Sequence, residues 1–213
     1  MGGIRKGATI ELLSQPFLSN KTPILEIKNL SISFPKRGKG LDKTAFQTIR
    51  NMELAVYSGE IVAVVGASGS GKSLLANAVM GLLPKNAVQE GTMNYKGKPL
   101  TEKRQKQLRG REIALIPQSI NSLDPLMKTE KFVKSMMRGN NKKKRLEEIF
   151  KRLRLPAETS TYYPYQLSGG MARRILIASA LASEAELIIA DEPTPGLDST
   201  SLDEFIQIMK QIP

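Results

Sequence analysis

Apolar and polar residues alternate through residues 25–34, LEIKNLSISF, and the alternation breaks at Asn29-Leu30, which predicts a strand with an irregularity at its middle. Met52, Leu54 and Val56 alternate again, and Ser58-Gly59 turns the chain into the apolar run IVAVV at residues 61–65. A short β-branched run of that kind reads as a buried parallel strand. Behind it Leu74, Leu75, Val79 and Leu82 recur at helical spacing, so the first third predicts antiparallel strands leading into a βα unit. Residues 88–109 are polar and basic, with Gly91 and Gly97 marking turns. Residues 113–116, IALI, predict a second buried strand. From about Asp124 to Tyr165 the pattern is helical, interrupted at Gly139-Asn140-Asn141, and Leu146, Ile149, Phe150 and Leu153 form one apolar stripe. A turn at 167–170 precedes a helix over 172–181, a third buried strand over 187–190, and a last amphipathic helix marked by Leu202, Phe205, Ile206 and Met209. Residues 1–22 lack periodicity and read as a loose arm, residues 35–42 as a basic loop, and no internal repeat is present. The pattern predicts an α/β domain over 23–213 with an antiparallel β subdomain and a helical subdomain inserted at about 124–166.

Between the run at 61–65 and the helix behind it lies Gly66-Ala67-Ser68-Gly69-Ser70-Gly71-Lys72-Ser73, which fits G-x-x-x-x-G-K-[ST]. Glycines let the backbone curl until successive N–H groups point at one phosphate, and the following helix N-terminus adds partial positive charge there. Lys72 would reach the β- and γ-phosphates and the Ser73 hydroxyl would ligate Mg²⁺. An accidental glycine-rich turn is the competing explanation, and the strand-loop-helix context opposes it. This chain is expected to bind a nucleoside triphosphate or to descend from one that did.

Composition narrows the classes. The 213 residues are 40% hydrophobic and 24% charged, as in an ordinary soluble domain, and no apolar run is long enough to span a membrane. The N-terminal residues carry neither a signal-peptide apolar core nor a myristoylation pattern. With no cysteine, disulfides and thiolate metal sites are excluded, which fits a reducing cytosol. The net charge of +12 gathers at Lys103-Arg104, Lys106, Arg109 and Arg111, at 142–145 and at 151–154. These residues read first as a solvated helix face, then as attraction to an anionic membrane leaflet, and last as nucleic-acid binding, because no aromatics interleave to stack bases.

The strand over 187–190 ends in Asp191-Glu192, a Walker B pattern in which Asp191 holds Mg²⁺ and Glu192 polarises the attacking water; a turn cap is the alternative. Gln118 follows the second strand, Leu167-Ser168-Gly169-Gly170-Met171 lies between the two Walker motifs, and DEPT is followed by Leu197-Asp198. In this order the motifs resemble the nucleotide-binding subunits of ABC transporters, from about Leu25 to the C-terminus. PQSINSLDPLMK (117–128) and YPYQLSGGMARRILIASALA are similar to the ATPases of peptide and nickel importers. The resemblance implies a P-loop NTPase core of ABC ATPase type that hydrolyses ATP with Mg²⁺. It implies that Phe34 stacks on adenine, where a core aromatic is the alternative. Gly66, Ser68, Gly69, Ser70, Gly71, Lys72 and Ser73 would wrap the phosphates. Gln118 would sense Mg²⁺ and water and couple to the membrane subunits. Ser168, Gly169 and Gly170 would cap the γ-phosphate held by an opposite subunit, Glu192 would be the general base, and Asp198 would cross the dimer interface. The implied partners are a second ATPase subunit in a head-to-tail dimer, transmembrane permease subunits and, indirectly, an extracellular substrate-binding protein. No nucleic acid is expected, and the location is the cytoplasmic face of the membrane.

The chain also departs from that family. The family places a histidine beyond the next strand, against the γ-phosphate, whereas this chain has no histidine and ends at Pro213. The expectation is a C-terminally truncated domain that binds ATP–Mg²⁺ and hydrolyses it slowly or not at all. Met171 stands where many signatures have Gln, as in the importer subgroup, and Pro195-Gly196 replaces a small polar pair. Two other readings compete with the energising subunit: a soluble ABC ATPase acting on nucleic acid or ribosomes, and a non-catalytic ATP-binding module. The first is opposed by the lack of a coiled-coil insertion between Lys72 and Ser168 and of a second cassette; the second is motivated by the missing histidine.

Overall fold

The computed structural model describes residues 10–13, 22–35 and 45–192. The predicted helix at Leu202–Met209, Pro195-Gly196, Asp198 and most of the basic loop at 35–42 lie outside these residues. In chain order the elements are β1 (Ile10–Leu13), β2 (Leu25–Pro35), β3 (Ala45–Val56), β4 (Ala63–Gly66), α1 (Lys72–Met80), β5 (Val88–Tyr95), β6 (Lys98–Pro99), α2 (Glu102–Leu108), β7 (Ile113–Ile116), α3 (Thr129–Met136), α4 (Lys142–Arg152), α5 (Gly169–Ala182) and β8 (Leu187–Ala190). Two compact units divide the chain, Met1–Lys106 and Gln107–Pro213.

In the first unit an antiparallel sheet runs β3-β2-β5-β6. Its core comes from Leu25, Ile27, Leu30 and Ile32, all buried. The step from odd to even positions is made by a bulge, which adds one residue and so returns the alternation to the same face. The register with β3 shifts between Ile27 and Leu30, and Asn29 takes φ 52°. The disturbance crosses all three strands. Asn51 on β3 is also left-handed, and the Ser31 Oγ accepts from its N–H at 3.0 Å and donates to its Oδ1 at 3.2 Å. Gly91 on β5 has φ 92°, and a Cβ there would stand 2.4 Å from the carbonyl oxygen of Asn29. Gly91 is therefore a bulge inside a strand, not a turn. Gly97 does turn the chain, with Lys96 also at positive φ, between β5 and β6.

Four further expectations need correction in this unit. The arm at 1–22 contains β1, which pairs antiparallel with β4, Ile10 opposite Gly66 and Leu13 opposite Ala63. The run at 61–65 is consequently not a buried parallel strand. β4 itself covers only 63–66 and is exposed at both ends and half-buried between, and Ile61 ahead of it is 55% exposed. The stretch 88–109, read only as polar with turns, contains β5, β6 and α2. Leu82 falls after the C-cap glycine of α1 and is exposed, while Leu75, Ala76, Ala78, Val79 and Met80 carry the buried face. Gln105 of α2 donates to the carbonyls of Ala78 at 2.8 Å and Val79 at 3.2 Å in the last turn of α1, where Ala78 also accepts from the Gly81 N–H at 3.1 Å.

The second unit pairs β7 and β8 in parallel, Ile113 opposite Leu187 and Ile116 opposite Ala190. β7, α3, α4 and α5 enclose one core, with Ile116, Val133 and Ile175 wholly buried. The stripe on α4 is as predicted: Leu146, Ile149, Phe150 and Leu153 are all buried. The chain breaks between α3 and α4 where the sequence placed the interruption, with Gly139 and Asn141 left-handed. Arg145 ties the helices together, pairing with Glu184 at 2.7 Å and donating to the carbonyl of Arg138 at 2.9 Å.

Candidate functional site

The loop after β4 is built by two glycines in conformations other residues avoid. Ser70 N–H donates to the Ala67 carbonyl at 3.1 Å, closing a turn in which Gly69 takes φ +77°. A type II turn requires a positive φ at that position. Gly71, at φ +104°, is the N-cap of α1, and its carbonyl accepts the first helical bond from Leu75 at 2.9 Å. A Cβ on Gly71 would lie 3.0 Å from Cγ1 of Ile49, so β3 backs the loop. The Lys72 Nζ lies back over the loop, donating to the carbonyls of Gly66 at 2.8 Å and Ala67 at 3.1 Å.

These residues fit an anionic ligand on their own geometry. Gly66, Ser68 and Gly69 are exposed, and nothing stands within 4 Å of where a Gly69 side chain would begin. The Ser70 Oγ is buried with no hydrogen-bond partner among the described residues, a donor left over. The first N–H groups of α1 face the same loop. Among the described residues no three His, Cys, Asp or Glu side chains cluster. Ser73, half-exposed in the first turn of α1, supplies one hydroxyl. Phe34 is half-buried on β2 opposite Phe46 of β3, which is 68% exposed, and opposed residues share a face of the sheet.

The second unit brings two more predicted residues together. β8 continues past Ala190, where the Asp191 N–H donates to the Ile116 carbonyl at 2.9 Å, and so fixes the base of the acidic pair beside the end of β7. Glu192 follows at φ 43°, uncommon outside glycine, and its Oε2 accepts from the Gln118 Nε2 at 2.5 Å. The residue proposed to sense water thus touches the residue proposed to accept its proton. Ser168 is the N-cap of α5, its Oγ accepting from the Met171 N–H at 3.2 Å. Gly169 and Gly170 are exposed in the first turn, and a Cβ on either would meet nothing within 4 Å.

Sequence reasoning missed Arg173. In MARR it reads as one more surface cation, yet it is 7% exposed, and its two terminal nitrogens donate to the carbonyls of Pro117 and Gln118, each at 2.8 Å. Burial pushes its guanidinium below its ordinary value. The only signal available was its helical phase, three and four residues before the apolar Leu176 and Ile177.

The family model described as "ABC transporter" matches residues 49–195. The chain is 37% identical over 205 residues to the "Oligopeptide transport ATP-binding protein OppD" of Bacillus subtilis, covering 90% of this chain and 56% of that protein. It is 36% identical to the "Dipeptide transport ATP-binding protein DppD" of Lactococcus lactis, covering 89% of this chain and 57% of that one. The chain therefore spans somewhat over half the length of these relatives. Among solved structures, the dimeric bacterial ABC transporter cassette MJ0796 superposes with a TM-score of 0.71 at 27% identity, over 87% of this chain and 81% of that one. A second dimeric structure of the same cassette, in a post-hydrolysis state bound to ADP and Pi, superposes equally well at 28% identity.

Proposed function

We propose, from the premise that this chain belongs to the ABC transporter family of ATP-binding subunits, that it binds and hydrolyses ATP to energise import of peptides. The observation that carries this reading is the loop 66–73, with its left-handed glycines, its lysine curled over the turn and its helix N-terminus. The peptide class rests on the relatives' names; the alternative cargo suggested by subgroup motifs, nickel chelates, finds no support in the relatives named above. The chain acts head to tail with a second ATPase subunit, identical or different, the signature of one closing over the nucleotide of the other; the cassette it resembles is dimeric. The complex sits against permease subunits at the cytoplasmic face of the membrane.

Each residue's part follows from its chemistry. The N–H groups of the loop and α1 bind the phosphate oxygens, and the Lys72 ammonium leaves its two carbonyls to neutralise the γ-phosphate. Ser73, Gln118 and Asp191 are the residues that, by resemblance to the family, would hold Mg²⁺, which would supply charge neutralisation at the phosphates. Phe34 offers its ring to the adenine. Gln118 orients the attacking water and Glu192 takes its proton, after the amide–carboxylate bond opens to admit the water. Ser168, Gly169 and Gly170 supply N–H donors to the nucleotide across the interface. Asp198 contributes at that same dimer boundary.

The test is equilibrium binding of a fluorescent ATP analogue to the wild-type chain and to Lys72→Ala. Removing the one cation of the loop should weaken binding by at least about tenfold, since a charge-assisted contact of this kind contributes roughly 1.5–3 kcal/mol. Equal affinity for the two proteins would sink the reading.

A further inference from the structure

We propose that Arg173 is the positioning residue of the hydrolytic pair: it fixes the backbone of the loop after β7, and through that backbone it aims Gln118 at Glu192. The inference rests on the ATPase reading for its consequence in catalysis, while its geometry stands on the second unit alone. A loop leaving a strand has carbonyls without ladder partners. Here two successive ones, of Pro117 and Gln118, are both taken by a single guanidinium at 2.8 Å. The planar fork of arginine matches two acceptors at once and holds the peptide between them against rotation. That peptide carries the Gln118 side chain, whose amide reaches the Glu192 carboxylate 2.5 Å away. Arg173 touches neither the carboxylate nor the place of the substrate, so its effect is indirect.

Its own position is over-determined. It projects from α5, a helix whose buried face includes Ala172, Ile175, Leu176 and Ile177, and it is itself buried. Burial depresses its guanidinium, which marks a charge removed from water and answered, among the described residues, by the two backbone carbonyls. Such a group cannot let go of its carbonyls without leaving a buried charge unpaired. The clamp also begins one turn inside the helix whose first residues are Gly169 and Gly170. Any displacement of that helix start is therefore transmitted to the Gln118 backbone.

The experiment uses the whole chain, labelled with ¹⁵N, and the variants Arg173→Met and Arg173→Lys. In the wild type the Arg173 Nη protons should exchange slowly with solvent, and the Gln118 side-chain amide should resonate away from exposed glutamines. In Arg173→Met the Gln118 amide should move to the exposed position. Its kcat for ATP should fall about tenfold or more with KM held within about twofold, because misplacing a reacting group costs rate more than binding. Arg173→Lys, with donors but no fork, should lie between. The proposal is overturned if the Gln118 amide is unchanged in Arg173→Met, or if that variant loses ATP affinity and melting temperature together while kcat holds. Should Arg173→Met fail to fold, the wild-type Nη exchange decides: a rate like that of an exposed arginine overturns the proposal. A wild type that binds no ATP counts against the functional reading, and the Gln118 resonance still decides the clamp.

Discussion

Gly71 holds φ at +104°, and a Cβ there would lie 3.0 Å from Cγ1 of Ile49 and 3.2 Å from Cγ2 of Thr48, whereas Gly69, at +77°, faces open space. The two glycines therefore predict different losses. Gly69→Ala carries only the strain of a left-handed residue, roughly 1–2 kcal/mol. Gly71→Ala carries that strain and must also push back β3, so its melting temperature should fall further; equal thermal shifts would contradict the geometry. At this scale most of the candidate site was legible in the sequence. Phosphate binding demands glycines, a lysine and a hydroxyl at fixed spacing, and an acidic pair at a strand end announces itself by type. Arg173 was not legible, because nothing in a basic side chain's identity says whether it turns to water or to a carbonyl.

On α4 the apolar stripe faces the core and Lys151 faces solvent. Phe150→Ala should destabilise by about 3–5 kcal/mol, the usual result of emptying a buried aromatic site. Lys151→Ala, one residue on, should shift stability by less than about 0.5 kcal/mol. Chemical denaturation of the two variants makes the comparison, and similar midpoints would remove the stripe from the core. The helical elements were legible because a stripe such as Leu146 to Leu153 needs only one side of period 3.6. The strand β2 was legible too, down to its break, since the bulge at Asn29 shifts the phase of the apolar positions themselves. β5 was not: VQEGTMNY buries only Met93 and Tyr95, and a glycine stands where the alternation should continue. That glycine is answered by a backbone oxygen on another strand, a partner that no local window contains. α2 escaped for a related reason, since its buried positions are Gln105 and Leu108 amid charges.

Across the whole molecule each unit encloses its own core, one around the bulged sheet and one around α5, and the chain carries 32 basic against 20 acidic residues. A net charge of +12 draws anionic ligands such as a nucleoside triphosphate and repels a second copy at low salt. Two positions bear on the proposed second subunit. Gly169 and Gly170 open α5 with nothing within 4 Å of where a side chain would begin. No packing among the described residues requires glycine there, and glycine in a helix is poorer than alanine by up to about 1 kcal/mol. Gly169→Ala and Gly170→Ala should therefore be neutral or stabilising in a melting screen. In cells that must import peptides to grow, the same two variants should be eliminated. A library scored both ways would place these positions at opposite ends of the two rankings, and the residues that change rank would outline the surface selected for another molecule's benefit.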